Sequence, residues 1–368
     1  MDQESPKYPP HLIDSEKKEI IQPVLVGNGR VISLSSGQQV SVACVGPNNI
    51  ISSINRSVSS ATCVSSSLLI DGQRLPYKST GCKSQVKESL VESGQCVNKK
   101  GTLIEIGWKI DSSFIKQLTV CHDQSSANTL YATSIIRGTS ILADDESNTR
   151  PAFRKGPYFI GIDVDKAYTQ SNQLTLLTQI LGSATLARRY LDSSKSFYFA
   201  RGHLAPDGDF IDAASQDSTY YYINCAPQWQ SFNNGNWKAL ETAVRNLAAE
   251  RKADYTIFTG TFGLMTLPDV QGHQKPIFLA DGRIPVPKYF WKVIHEPATK
   301  KATAVIGINN PHLATITGAD VFCPDVCPSW IKFERLRITS GYTFCCTVQS
   351  LHNVISHSPN LGDLPLLD

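Results

Sequence analysis

The chain has 368 residues, 41% of them apolar and 18% charged, with a formal net charge of +3. This composition excludes a disordered chain, and so mild a charge does not by itself mark a nucleic-acid binder, although it leaves room for a local basic groove. No apolar run reaches membrane-spanning length, so a soluble protein without a membrane partner is expected, with one large domain and an appendage or two domains.

Residues 1–20 are polar and proline-containing and read as a flexible tail. From 21 to 145 the pattern is one of short strands: Val24–Val26, Val31–Leu34, Val40–Val42, Ser67–Ile70, Leu103–Ile106 and Leu130–Ala132. Gly, Asn and Ser clusters punctuate them, and five of the ten cysteines (Cys44, Cys63, Cys82, Cys96, Cys121) lie there. A small, disulfide-rich all-β module is expected over 21–145, its odd cysteine count implying one bridge to the rest of the chain or one free thiol. The charged, proline-ended segment Ala143–Pro151 sets a boundary, and 150–368 reads as a second domain.

In that second region Leu174, Leu177, Ile180 and Leu181 recur at helical spacing until Gly182. Tyr220–Ile223 is a strand candidate. Trp237, Leu240, Val244 and Leu247 mark an amphipathic helix ending near Glu250. Tyr255–Phe258, Tyr289–Ile294 and Ala302–Ile308 read as strands, giving an α+β core. The even cysteine count, without paired Cys-x-x-Cys knuckles, predicts several disulfides and an oxidising compartment. Cys323 and Cys327, and the adjacent Cys345 and Cys346, are read as disulfide cysteines and not metal ligands. The sequon Asn55-Arg-Ser57 agrees with a secreted, extracellular location, whereas the start Met1-Asp-Gln-Glu-Ser-Pro6 carries no signal peptide.

Three stretches concentrate chemistry: Tyr198-Phe-Ala-Arg-Gly-His-Leu-Ala-Pro206, Asn224-Cys-Ala-Pro-Gln228 and Asn233-Asn-Gly-Asn-Trp-Lys-Ala-Leu-Glu241. Phosphodiester hydrolysis needs a base for water, a cation for charge on the phosphorus oxygens and a donor to hold the phosphate. His203 can be the base, since an imidazole is mostly neutral near pH 7. Arg201 matches phosphate oxygens with two prongs. Asn233, Trp237 and Glu241 are spaced by four and four, so a helix starting near Asn233 would bury Trp237 and turn Asn233 and Glu241 toward one cleft. An amide oxygen is a neutral, hard ligand that leaves magnesium most of its waters, and Glu241 could orient one of them. The plain alternatives are a helix cap at Asn233, a solvated acid at Glu241 and a surface turn at Arg201 and His203. Asp207 and Asp209 read as loop-capping acids.

These stretches resemble the sugar-nonspecific DNA/RNA endonucleases, the ββα-metal nucleases. The family's Asp-Arg-Gly-His is similar to Ala200-Arg201-Gly202-His203, its Asn-x-x-Pro-Gln to Asn224–Gln228, and its Asn-x-Gly-x-Trp-x-x-Leu-Glu to Asn233–Glu241. The resemblance spans roughly 150–355 and includes Ile284–Lys292. Within the family the chain is most similar to secreted arthropod nucleases, several of which digest double-stranded RNA. The resemblance implies a ββα-metal nuclease core with a mixed or antiparallel sheet. It implies a Mg2+ cofactor, with Mn2+ as a possible substitute, held by Asn233. It assigns catalytic roles to His203 as base, Arg201 and Glu241 as supports of phosphate and hydrated metal, and Asn224 as a polar active-site residue. The implied activity is endonucleolytic cleavage of DNA and/or RNA through the phosphate backbone, with little sequence specificity and 5′-phosphate ends. Ala200 departs from the family aspartate. It supports the alternative of a catalytically weakened nucleic-acid-binding protein of the same fold; a hydrolase of small phosphodiesters is the other alternative.

Overall fold

Alternation of apolar and polar residues builds two large antiparallel sheets, beside four two-stranded ones, in the computed structural model, which describes residues 5–145 and 148–368. The first sheet takes its strands in chain order: β1 (His11–Asp14), β2 (Gln39–Ala43), β3 (Val58–Val64), β4 (Ser67–Ile70) and β5 (Gln73–Pro76). Inward residues Leu12, Val40, Val42, Ala61, Leu68 and Ile70 give it a core of its own, and the Cys44–Cys82 disulfide staples it.

Four long strands follow: β6 (Ser89–Cys96), β7 (Gly101–Ile110), β8 (Ser113–Asp123) and β9 (Asn128–Ile136). Next come helix α1 (Gln170–Leu181) and the hairpin β10 (Phe199–His203)–β11 (Cys225–Trp229). The hairpin leads into helix α2 (Lys238–Arg251). Strands β12 (Tyr255–Leu264), β13 (Pro287–Glu296), β14 (Lys301–Ile308) and β15 (Thr343–Cys346) complete an eight-stranded sheet, ordered β15-β14-β13-β12-β9-β8-β7-β6. The main core lies between this sheet and the helices and hairpin, and includes Phe199, Trp229, Trp237, Leu240, Val244 and Phe290. The α+β class with mostly antiparallel pairing agrees with the sequence reading.

The expected internal boundary does not fall between sheets. Strand β9 pairs with β12 from Tyr131↔Gly260 to Ile136↔Tyr255, so strands on both sides of residue 145 share one sheet. The boundary segment also contains Glu146 and Ser147, which lie outside the described residues. The expected tail holds β1, whose His11–Asp14 pair with Val40–Ala43 because Leu12 and Ile13 are needed in the small core. Val31 ends a short hairpin strand, Gly29–Val31, and Ile32–Leu34 are not strand. The aromatic run Tyr220–Ile223 is not a strand either. Its side chains are buried on several sides of a 3-10 turn, Tyr222–Asn224, a packing that strand propensity alone does not anticipate.

Eight cysteines form four disulfides: Cys44–Cys82, Cys96–Cys121, Cys323–Cys346 and Cys327–Cys345. No bridge crosses residue 145; Cys63 is the free thiol of the first region, and Cys225 is a second, both buried. Asp325 stands with Cys327 and Cys345 in metal-ligating proximity, but both sulfurs are consumed by their disulfide. No described helix is long and apolar enough to cross a membrane.

Candidate active site

The β10–β11 hairpin fixes the first two site residues. Its register runs from Phe199↔Trp229 to His203↔Cys225. Strand alternation puts Arg201 and His203 on one face, two residues apart. Gly202 is required between them, because a Cβ there would lie 2.3 Å from Gln228 Oε1.

His203 packs against Phe153 and Tyr220, each with ring centroids 4.9 Å away. Burial pushes its imidazole down to about 4; Asp207 opposes this shift and Arg150 adds to it. The imidazole is therefore neutral at physiological pH, and its buried Nε2 has no partner among the described residues. Phe153 also lies 5.8 Å from the Arg201 guanidinium, so one aromatic ring touches both polar groups. Arg201 is further bracketed by Tyr168 and Tyr222. Its Nε donates to Tyr222 Oη at 2.9 Å, and that hydroxyl donates to Asp165 Oδ1 at 2.6 Å. The remaining guanidinium nitrogens make no ion pair among the described residues, a geometry suited to an incoming anion.

Asn233 follows the hairpin through a short helical turn, Gln230–Phe232. The sequence spacing predicts a regular α-helix from Asn233; a π turn, Asn233–Trp237, precedes α2 instead, with Gly235 at φ −91°, ψ −123°. The cause is close packing. A Cβ on Gly235 would lie 2.6 Å from the Ser340 carbonyl oxygen. Asn236 Nδ2 then anchors the turn by donating to the Glu334 and Gly341 carbonyls, both at 2.8 Å. Turns of this kind break the α-helical register, and they recur at functional sites. Asn233 is half-buried; its Nδ2 donates to Gln230 Oε1 at 3.3 Å, leaving Oδ1 uncommitted. Trp237 is buried as expected.

Glu241 lies in the first turn of α2, and burial pushes its carboxyl up to about 7. Lys292 and Arg245 oppose that shift, and Asp209 and Asp207 reinforce it. Asp207 acts on both His203 and Glu241, which places the two in one electrostatic neighbourhood. Lys292 is 1% exposed on β13, donates to Thr259 Oγ1 at 2.6 Å and lies 5.6 Å from the Trp237 ring, one helical turn before Glu241. Burial lowers its pKa, with Asp209 and Glu241 opposing. Asp209 is buried and paired with Arg245 at 3.1 Å.

Asn224, expected as a polar active-site residue, makes its side-chain hydrogen bonds to backbone groups. Oδ1 accepts from Ala205 N at 3.0 Å, and Nδ2 donates to the Ala205 and Thr219 carbonyls at 2.8 and 2.9 Å. Fully buried and saturated, it fixes the loop that leaves His203. Asp207 does cap its loop, accepting from Gly208 N at 2.9 Å, but it also accepts from Tyr220 Oη at 2.6 Å and pairs with Arg150 at 3.2 Å. Sequence reasoning missed Lys292, Arg245 and Phe153. A lone lysine inside the apolar run Tyr289–Ile294, and an arginine one turn after Glu241, were the available signals for the first two.

The donor set fits a hard divalent cation. One uncommitted amide oxygen at Asn233 and one carboxylate at Glu241 offer oxygen only, which suits an ion that keeps several waters. His203 and Arg201 share one strand face and Asn233 follows their hairpin; with Glu241 they are the residue types that metal-assisted phosphodiester hydrolysis requires.

Comparison with known proteins shows the family. The family model of the DNA/RNA non-specific endonucleases matches residues 99–351. A salivary endonuclease of Lutzomyia longipalpis is 29% identical over 350 residues, 93% of this chain and 79% of that protein. Salivary protein Tsal1 of Glossina morsitans morsitans is 29% identical over 245 residues, 65% of this chain and 60% of that protein. Among solved structures, a chain of the EndoG/EndoGI complex matches 70% of this chain and 88% of its own length, at 18% identity and a TM-score of 0.42.

Proposed function

The chain belongs to the DNA/RNA non-specific endonuclease family, and from that premise we propose that it is a Mg2+-dependent, secreted endonuclease. It hydrolyses DNA and RNA backbones with little sequence preference, favours double-stranded RNA and leaves 5′-phosphate ends; Mn2+ can substitute for Mg2+. The observation that carries this reading is His203: neutral by burial, with an unpartnered Nε2, on the strand face it shares with Arg201. In the reaction the imidazole accepts the proton of the attacking water. Arg201, braced by Tyr222 and Asp165, meets the non-bridging phosphate oxygens. Asn233 Oδ1 and Glu241 would hold the hydrated cation, Asn233 as direct ligand and Glu241 through water. When bound, that ion supplies positive charge against the pentacovalent phosphorus and the leaving 3′ oxygen. An anionic phosphate arriving beside His203 raises the imidazole pKa and so favours proton acceptance. Recognition through phosphate and sugar makes binding salt-sensitive and weakly selective for bases. Four disulfides and salivary relatives support an extracellular location.

The test is incubation of plasmid and long double-stranded RNA with Mg2+, then with chelator, beside a chromogenic small phosphodiester. Chelator-sensitive degradation of the polymers is expected, and His203→Ala should lower turnover by about 10²- to 10⁴-fold with folding intact. A variant that cleaves within a few-fold of the wild type would remove His203 from the chemistry.

A further inference from the structure

The solvent face of α2 and the segment between β14 and β15 enclose a groove of about 530 Å3, within the range of ligand sites, roughly 300–1,000 Å3. Lys238 and Thr242 line the helix side, and Trp330, Lys332 and Phe333 line the opposite wall. One end is formed by Asn234 and Gly235, the residues that follow Asn233. The wall is fixed before any ligand arrives. Trp330 Nε1 donates to the Leu367 carbonyl at 2.9 Å, Asn236 ties the Glu334 carbonyl to the π turn, and Cys323–Cys346 and Cys327–Cys345 staple the segment to β15. Such pre-organisation reduces the entropy lost on binding.

The charge along the groove is graded. Its charged lining residues are Lys238, Lys332 and Glu250. Glu250 lies twelve residues beyond Lys238, or roughly 18 Å along the helix at 1.5 Å per residue. Lys238 therefore makes the end next to Asn233 cationic, and Lys238 and Lys332 are both exposed. Thr242 connects this floor to the Glu241 side of the helix, since Arg245 Nη2 donates to its Oγ1 at 3.3 Å. Exposed lysines beside half-buried aromatic rings suit a polyanion that carries planar groups, and aromatic contacts with bases tolerate any sequence.

We infer that this groove is a subsite for the nucleic-acid strand flanking the scissile phosphate. Lys238 and Lys332 contact backbone phosphates, and Trp330 and Phe333 contact the nucleosides between them. This rests on the nuclease reading above. The groove contributes affinity for polymer and no chemistry, because its lining contains none of His203, Arg201 or Glu241.

The experiment uses the full chain carrying Lys238→Ala and Lys332→Ala together, with circular dichroism to verify folding. KM and kcat on long double-stranded RNA are measured from 50 to 300 mM salt. The expected result is a KM raised about tenfold or more at low salt, an unchanged kcat, and a salt-dependence slope reduced by about two, near one for each phosphate-contacting lysine. KM and slope equal to wild type in a cleaving enzyme would overturn the groove assignment alone. Failure of the wild type to bind or cleave the polymer would instead overturn the nuclease reading, and the subsite with it.

Discussion

Replacing Lys292 by methionine tests whether the buried cation behind Trp237 sets the working pH. Burial pushes the Glu241 carboxyl up to about 7, and Lys292 is the chief influence keeping it from rising further. A group at that value is half ionised at pH 7 and about 9% ionised at pH 6. If the carboxylate orients the hydrated metal, kcat/KM at limiting Mg2+ should fall about fivefold between pH 7 and pH 6, a loss of about 1 kcal/mol. A nearby opposite charge is worth about 1–3 pKa units, so Lys292→Met should move this acid limb upward by about one unit or more. Activity at pH 7 would then drop about fivefold, yet recover at pH 9. Methionine preserves the length of the side chain, and loss of the Thr259 contact costs about 1 kcal/mol, which a folded domain tolerates. The assay is a pH profile of kcat/KM on long double-stranded RNA at fixed free Mg2+, with Glu241→Gln as the control whose profile should be flat from pH 6 to 8. An acid limb that stays in place in Lys292→Met, or lies below pH 5 in the wild type, would refute the electrostatic argument.

Three further outcomes are expected. Asn233→Ala removes the direct ligand, so half-saturating Mg2+ should rise at least tenfold, whereas Glu241→Gln should raise it less; a titration showing wild-type metal demand in Asn233→Ala refutes the single-ligand picture. Denatured, unreduced protein should show two free thiols, Cys63 and Cys225, and the native protein almost none, because both are buried; eight or more would contradict the disulfide framework. Removing Cys44–Cys82, which closes a 38-residue separation, should cost about 4 kcal/mol in the chain-entropy picture, and limited proteolysis should then cut the first sheet before the second.

The sequence makes local features legible and leaves non-local ones hidden. Helix α1 is visible from Leu174, Leu177 and Leu181, and its stop is visible at Gly182, which adopts φ 72°. Strands β12, β13 and β14 are visible as apolar runs. The pairing of β9 with β12 is not visible, because nothing local in Leu130–Ala132 specifies a partner about 130 residues away. The π turn at Asn233 is hidden for the same reason: its cause is the approach of Ser340 to Gly235. Motif matching brought His203, Arg201, Asn233 and Glu241 into view, but a motif states residue identity without orientation. Asn224 shows the consequence, since only its three backbone hydrogen bonds reveal a structural task. Lys292 looks like a strand-face residue until its burial beside Trp237 is known.

Ala200 is the one residue that favours a non-catalytic protein, and its surroundings argue against that reading. It pairs in register with Gln228, whose buried Oε1 and Nε2 have no partner among the described residues. An aspartate at 200 would stand beside that amide, so its loss falls first on Gln228. The active-site side chains have other supports. His203 is held by Phe153 and Tyr220, Arg201 by Tyr222 and Asp165, and Asn233 by a turn anchored through Asn236. None of these contacts passes through residue 200. Ala200→Asp should therefore change turnover on double-stranded RNA by less than about tenfold, against the 10²- to 10⁴-fold loss expected of a missing base. The measurement is kcat at saturating Mg2+ for wild type, Ala200→Asp and His203→Ala side by side. An inert wild type that gains at least a hundredfold from Ala200→Asp would show that the chain binds nucleic acid without cutting it, and that the carboxylate was the missing part.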